Sequence, residues 1–85
     1  DIAGVVEAVG DNCTDWKVGD EVFGDIAAAG FGAFAEFVAV PEKWLARKPS
    51  AVSFKEAAAL PQAGLLALQG LRYQGDVQAG QHVLI

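Results

Sequence analysis

The chain has one cysteine and one histidine among its 85 residues. A single cysteine excludes an internal disulfide and a multi-cysteine zinc cluster within the chain. Cys13 lies in the polar stretch GDNCTDW, between Asp11 and Asp15, where a reactive thiol would lack cationic neighbours, so we interpret it as a turn residue. We interpret His82 as a strand-entry residue, because no other histidine or cysteine is near enough in sequence to share a metal.

Basic residues are also scarce. Six lysines and arginines stand against eleven aspartates and glutamates, which gives a net charge of −5 and argues against a nucleic-acid partner. The longest apolar stretch, residues 57–71, is interrupted by Pro61, Gln62, Gln69 and glycines, so no membrane span is predicted. One unpaired cysteine and the lack of a signal peptide favour a cytoplasmic location.

Apolar residues, by contrast, make up 53% of the chain. A chain of this length buries only roughly 60–65% of its unfolded surface. We therefore expect it to expose apolar surface that is meant for a partner.

The first part of the sequence is typical of short strands closed by glycine or proline. Strands are predicted over residues 2–9, 21–23 and 33–40, and a further extended piece over residues 43–49. The glycine-rich stretch DIAAAGFG between them predicts a mobile loop. This spacing favours a small β-barrel or sandwich.

The pattern changes at Ser53. The stretch SFKE is a capping box that predicts a short helix from Phe54 to about Leu60, and Pro61 favours the start of a second helix that ends near Gly75. Residues 82–85 run from His82 into an apolar stretch that includes the β-branched Val83, which predicts a buried parallel strand. The fold class is therefore mainly β with α: an all-β piece joined to the start of an α/β unit.

The residues alone show no catalytic constellation. Asp1, Glu7, Asp20 and Glu21 are interpreted as solvated or turn-forming carboxylates, since acid–base catalysis needs groups that converge on one site. Glu56 is explained by the capping box.

Five blocks stand in an order that resembles the medium-chain dehydrogenases/reductases: DIAGVVEAVG, KVGDEVFG, GAFAEFVAV, FKEAAALPQAGLLAL and GQHVLI. The closest resemblance is to the zinc-independent, NADPH:quinone oxidoreductase-like branch. It implies a partial GroES-like β-barrel catalytic domain over residues 1–60, then a connecting helix and the first strand of a truncated Rossmann cofactor domain over residues 61–85. The glycine-rich pyrophosphate turn would follow Ile85.

The resemblance also implies a site and its ligands. Gln62, Ala63, Gly64 and Leu66 would lie near the nicotinamide of NADPH, and no catalytic residue is identifiable. An alternative for Gly64 is close packing of helix against barrel, because a missing Cβ serves both roles. Gln62 stands where the zinc-dependent branch has a zinc cysteine, so no zinc is expected. The full-length parent would be a cytoplasmic homodimer that reduces a small quinone or enone.

Two functions of different classes follow. The first is a fragment of an NAD(P)H-dependent oxidoreductase, inactive as an isolated chain and unable to bind NADPH tightly. The second is a non-catalytic β-barrel module that self-associates or pairs with another chain through its apolar surface.

Overall fold

The computed structural model describes residues 1–84. The elements that it contains are three strands, two α-helices, two 3₁₀ turns and one π-helical segment. The bounds are β1 (Ile2–Val5), β2 (Glu21–Gly24), β3 (Ala46–Arg47), α1 (Phe54–Ala58), α2 (Pro61–Leu68), the 3₁₀ turns Ala27–Ala29 and Glu42–Trp44, and the π-helical segment Gln69–Gln74.

The three strands form one antiparallel sheet in the order β1-β2-β3. Ile2 lies opposite Gly24 across the first pair, and Val22 lies opposite Arg47 across the second. The pairing continues to Val6, whose N–H donates to the Asp20 carbonyl at 2.9 Å. The first half of the strand predicted over residues 2–9 is confirmed, and so is the strand predicted over residues 21–23.

The described residues form this small open sheet and not a closed barrel. The strand predicted over residues 33–40 is absent as well. In the described part of the chain no backbone hydrogen bond pairs this segment with a second strand, and a strand needs such a partner for its N–H and C=O groups. Phe34 and Phe37 on this segment are exposed.

Both predicted helices are confirmed. The Ser53 side chain accepts from the Glu56 N–H, and the Glu56 carboxylate accepts from the Ser53 N–H at 2.9 Å, so the capping box forms as predicted. Pro61 occupies the first turn of α2 and is buried. A glycine at the end of a helix favours the left-handed conformation, which predicts it for Gly75. This prediction is wrong: the φ of Gly75 is −86°, and Asp76 carries the positive φ of 46°.

The end of the described chain has no regular structure. The predicted Rossmann strand is not seen, because residues 82–84 form no strand and Ile85 lies outside the described residues. A parallel strand also requires a hydrogen-bonded neighbour, and the sheet of the described residues contains only β1, β2 and β3. Among residues 1–84, no helix has both the length and the apolar character needed to cross a bilayer.

The core is small. Val22, Ile26 and Ala57 are its buried apolar residues, and they lie where the sheet meets α1 and the segment after β2. The radius of gyration is 15.2 Å, against the roughly 12 Å expected for a compact domain of this length. Much of the apolar content therefore stays at the surface, as the composition predicted.

Candidate functional site

A cleft of about 350 Å³ lies where three distant parts of the chain meet. Its walls come from Asp1 before β1, from the segment of residues 25–34 after β2, and from Gln62 in the first turn of α2. Small-molecule sites in proteins usually have volumes from about 300 to 1,000 Å³. The cleft is therefore large enough for a small organic ligand.

The start of α2 is tied to the sheet at this cleft. The backbone N–H of Gln62 donates to Asp1 Oδ2 at 3.0 Å, across 61 residues of sequence. The first N–H groups of a helix have no partner within the helix, and a carboxylate is a favourable acceptor there. Asp1 therefore fixes the position of the helix that carries the predicted cofactor residues.

The segment after β2 forms the opposite wall. Asp25 Oδ1 accepts the Ala27 N–H at 2.9 Å and starts the 3₁₀ turn. Ile26 is buried and anchors the segment, and its carbonyl accepts the N–H of Phe31 at 3.2 Å. These contacts hold Phe31 at the cleft.

The structure places the four predicted cofactor residues on the exposed α2, and only Gln62 lines the cleft. Ala63, Gly64 and Leu66 lie along the helix beyond it. A Cβ added to Gly64 would meet no atom within 4 Å in the described residues, so the close-packing explanation for this glycine has no contact to support it.

Residue-by-residue reasoning missed the aromatic part of the cleft. Phe31 and Phe34 both line it, yet Phe34 was assigned to a strand and Phe31 to a mobile loop. The only available signal was the pair of glycines, Gly30 and Gly32, on either side of Phe31, since such a pair is typical of a turn with unusual backbone angles.

The other candidate residues lie outside the cleft. The Cys13 thiol donates to the Trp16 carbonyl at 3.7 Å, which agrees with a turn role. His82 is exposed, and the described residues contain no group of three side chains able to hold a metal ion. Asp20 and Glu21 form ion pairs with Arg47 and Lys48 in the sheet.

The shifted pKa values also lie outside the cleft and have structural causes. The Arg47 guanidinium, 3.1 Å from Asp20 Oδ1, lowers the pKa of Asp20, with help from the Lys17 N–H. The Ser53 hydroxyl, together with the Ser53 N–H, lowers the pKa of Glu56. These carboxylates stabilise turns and a helix start, so they do not mark a second site.

Glu42 ties the turn of residues 13–16 to the 3₁₀ turn before β3. Its Oε2 accepts the N–H groups of Thr14 at 3.0 Å and Asp15 at 3.1 Å. The Asp15 N–H, followed by the Cys13 thiol and the Thr14 N–H, lowers the pKa of Glu42 from 4.5. The ionised form of Glu42 is therefore favoured by folding.

Acid is expected to weaken this connection. Because the pKa of Glu42 is lower in the folded chain, the unfolded chain binds more protons around pH 4.5. The stabilisation is complete above pH 4.5 and is lost as the pH falls through the lowered value. Urea unfolding between pH 3 and 7, at roughly half-unit steps, should show a shallower pH dependence for Glu42→Gln than for the wild type. An equal change for Glu36→Gln, an exposed carboxylate, would contradict this assignment.

The chain matches the model of the alcohol dehydrogenase GroES-like domain over residues 1–50. This match covers more than half of the chain, and the protein therefore belongs to the alcohol dehydrogenase GroES-like domain family. Its place in the medium-chain dehydrogenases/reductases, in the quinone oxidoreductase-like branch, is confirmed by the relatives described next.

Relatives that match over the whole chain include the following three proteins. A 2-methylene-furan-3-one reductase of Solanum lycopersicum is 47% identical, and the match covers 23% of that protein. The chloroplastic NADPH-dependent alkenal/one oxidoreductase of Arabidopsis thaliana is 41% identical, with 23% of its length covered. The quinone oxidoreductase of Homo sapiens is 35% identical, with 25% covered. The chain thus spans about a quarter of the length of these relatives, and no solved structure is significantly similar to it.

Proposed function

We propose that the natural protein containing this chain is an NADPH-dependent reductase of neutral quinones or α,β-unsaturated carbonyl compounds. The observation that carries the proposal is the cleft that joins Asp1 and the segment of residues 25–34 to Gln62 on α2. It has the volume of a small-molecule site. The names of the relatives, which include a quinone oxidoreductase and an NADPH-dependent alkenal/one oxidoreductase, support this substrate class.

The charges around the cleft favour an uncharged acceptor. Asp1 and Asp25 bring two carboxylates, and none of the described lining residues is a lysine, arginine or histidine. An anionic substrate would be repelled, because like charges in a partly dry cleft interact unfavourably. The expected substrate is therefore a neutral carbonyl compound.

The exposed start of α2, beside the cleft, is the proposed place for the nicotinamide. Gln62, Ala63, Gly64 and Leu66 are exposed along this part of the helix, and Gly64 leaves space where a Cβ would project. These residues would hold and orient the ring. When bound, NADPH would supply the hydride, and a proton taken up by the substrate would complete the reduction.

We also propose that the reaction needs no zinc. The amide of Gln62 is a poor zinc ligand and stands at the position where the zinc-dependent branch carries a cysteine. A homodimeric state and a cytoplasmic location stay predictions.

A larger side chain at Gly64 tests whether the nicotinamide binds at the start of α2. Gly64→Val in the natural protein should weaken NADPH binding by about 10- to 100-fold, because the ring can no longer approach the helix backbone. The fold should be unaffected, since an added Cβ meets no atom within 4 Å. Fluorescence titration of NADPH gives the dissociation constant, and thermal unfolding checks the fold.

Gly70→Val is the matched control. Gly70 lies farther along the same helical stretch, and a Cβ there also meets no atom within 4 Å. NADPH affinity should stay at the wild-type value in this variant. Equal NADPH affinities for both variants and the wild type would rule out the start of α2 as the place where the nicotinamide binds.

The alternative function, a non-catalytic module that pairs with another chain, also stays a prediction. The exposed leucines of α2, Leu65, Leu66 and Leu68, favour it. Light scattering that shows a monomer at micromolar concentration would count against pairing between copies.

A further inference from the structure

Phe31 has an unusual backbone conformation. Its φ is 67°, and the glycines on either side, Gly30 and Gly32, have φ values of 102° and 96°. Three successive residues thus lie in the left-handed region, which is readily accessible to glycine but unfavourable for a residue with a bulky side chain. An asparagine or a third glycine would fit this position with less strain.

The fold does not compensate for this strain by burying the ring. The Phe31 side chain is 73% exposed, although its N–H is held by the carbonyl of the buried Ile26. The backbone is therefore fixed, while the ring stays largely exposed at the cleft that Phe31 lines. Backbone strain of this kind concentrates at functional sites, so a strained residue beside a cavity indicates a position that contacts a ligand.

The surroundings of the ring define that ligand. Phe34, whose side chain is fully exposed, lines the same cleft, so the two aromatic residues supply an apolar wall. The carboxylates of Asp1 and Asp25 lie in the same lining, and each already accepts one backbone N–H. A flat, uncharged, conjugated molecule suits this combination better than an anion.

We propose that Phe31 is a specificity-determining residue that selects planar, conjugated ring acceptors such as naphthoquinones over small open-chain enones. The proposal rests on the proposed function and adds the substrate preference of the cleft. Aromatic rings attract each other in offset or edge-to-face arrangements, beyond the gain from burying apolar area. A small enone has no ring and cannot make this contact.

The test compares two acceptors in the natural protein. Phe31→Ala removes the ring but keeps an L-residue with a Cβ at this position, so the unfavourable left-handed backbone conformation is retained. We expect kcat/KM for 1,4-naphthoquinone to fall about tenfold, mainly through a higher KM. The reason is that the variant loses one aromatic contact and the apolar area that this contact buries. For but-3-en-2-one the change should be less than about twofold, and Phe31→Tyr should retain the wild-type preference.

Phe37→Ala is the matched control. Phe37 is also 73% exposed, but it lines a wider neighbouring depression between β1 and residues 33–42 and does not line the cleft. Its replacement should leave kcat/KM for both acceptors unchanged. Calorimetric titration of 1,4-naphthoquinone without NADPH adds a readout independent of turnover, in which only Phe31→Ala should weaken binding.

The outcomes separate the two claims. Equal losses for both acceptors, or no loss of naphthoquinone binding in Phe31→Ala, would overturn the role of Phe31. If the wild type reduces neither acceptor, the proposed function fails, and the calorimetric comparison still decides whether Phe31 binds the aromatic ligand. If Phe31→Ala does not fold by circular dichroism, Phe31→Leu replaces it, since leucine lacks the aromatic ring and must show the same loss.

Discussion

Replacing Gly24 with alanine is expected to lower the free energy of unfolding by about 3 kcal/mol, near the upper end of the usual cost of overpacking a well-packed interior. Gly24 is the last residue of β2 and is buried. A Cβ at this position would collide with the backbone carbonyl of Trp44, in the 3₁₀ turn before β3. A backbone group cannot rotate away as the end of a flexible side chain can, so the sheet or the turn must move.

Gly4→Ala is the matched control for this prediction. Gly4 lies in β1 of the same sheet, and an added Cβ there meets no atom within 4 Å. Its replacement should leave the stability unchanged or raise it slightly, because alanine restricts the unfolded chain more than glycine does. Urea unfolding of both variants measures the difference. Equal stabilities would show that the turn of Trp44 does not pack against β2 as described.

Replacing Lys48 with methionine should cost on the order of 2–3 kcal/mol, as expected when a buried charged group and its hydrogen bonds are removed. The Lys48 side chain is only 5% exposed, and its Nζ lies 2.9 Å from Glu21 Oε2. The same ammonium donates to the Val52 carbonyl at 2.6 Å and to the Pro49 carbonyl at 3.1 Å. It therefore fastens the end of the sheet to the turn that leads into α1.

Methionine keeps most of the length and apolar volume of lysine, so the loss comes mainly from the ammonium. The Pro49 carbonyl would still accept the Val52 N–H at 3.1 Å, but the Val52 carbonyl would lose its lysine donor. Lys43→Met serves as the control, because Lys43 is exposed and its Nζ lies 5.3 Å from the centre of the Trp44 ring. That variant should lose about 0.5 kcal/mol at most. Similar losses in the two variants would contradict the anchoring role of Lys48.

The sequence predicted those elements whose determinants lie close together along the chain. The capping box of Ser53 and Glu56 needs residues three apart, and Pro61 marks a helix start by its own geometry. The strand over residues 21–23 was predicted for the same reason, from the turn residues Gly19 and Asp20 before it and the β-forming Val22 and Phe23 within it. Each of these signals is local, so each survives in the folded chain.

Elements that depend on a distant partner could not be predicted in this way. Residues 33–40 have the alternating pattern of a strand, but no neighbouring strand pairs with them in the described part of the chain. The cleft likewise brings Asp1 to Gln62, 61 residues away, through a hydrogen bond that no local pattern encodes. Of the cofactor residues implied by the family resemblance, only Gln62 reaches this cleft.

The backbone conformation of Phe31 could not be predicted from the sequence either. A glycine on each side indicates a turn, yet no feature of the sequence predicts that phenylalanine takes a φ of 67°. The conformation follows from the burial of Ile26 in the core, which is a tertiary effect, and from the hydrogen bond that the Phe31 N–H donates to the Ile26 carbonyl. The aromatic wall of the cleft was therefore missed.

The most direct test of the account is to follow the hydride. The natural protein would be supplied with but-3-en-2-one and with NADPH carrying deuterium at both C4 positions of the nicotinamide, and the ketone product analysed by mass spectrometry and NMR. We expect butan-2-one with one deuterium on the carbon that was the terminal alkene carbon. Ketone without deuterium at that carbon, or no consumption of NADPH with any enone or quinone, would contradict the proposal that this chain belongs to a hydride-transferring reductase.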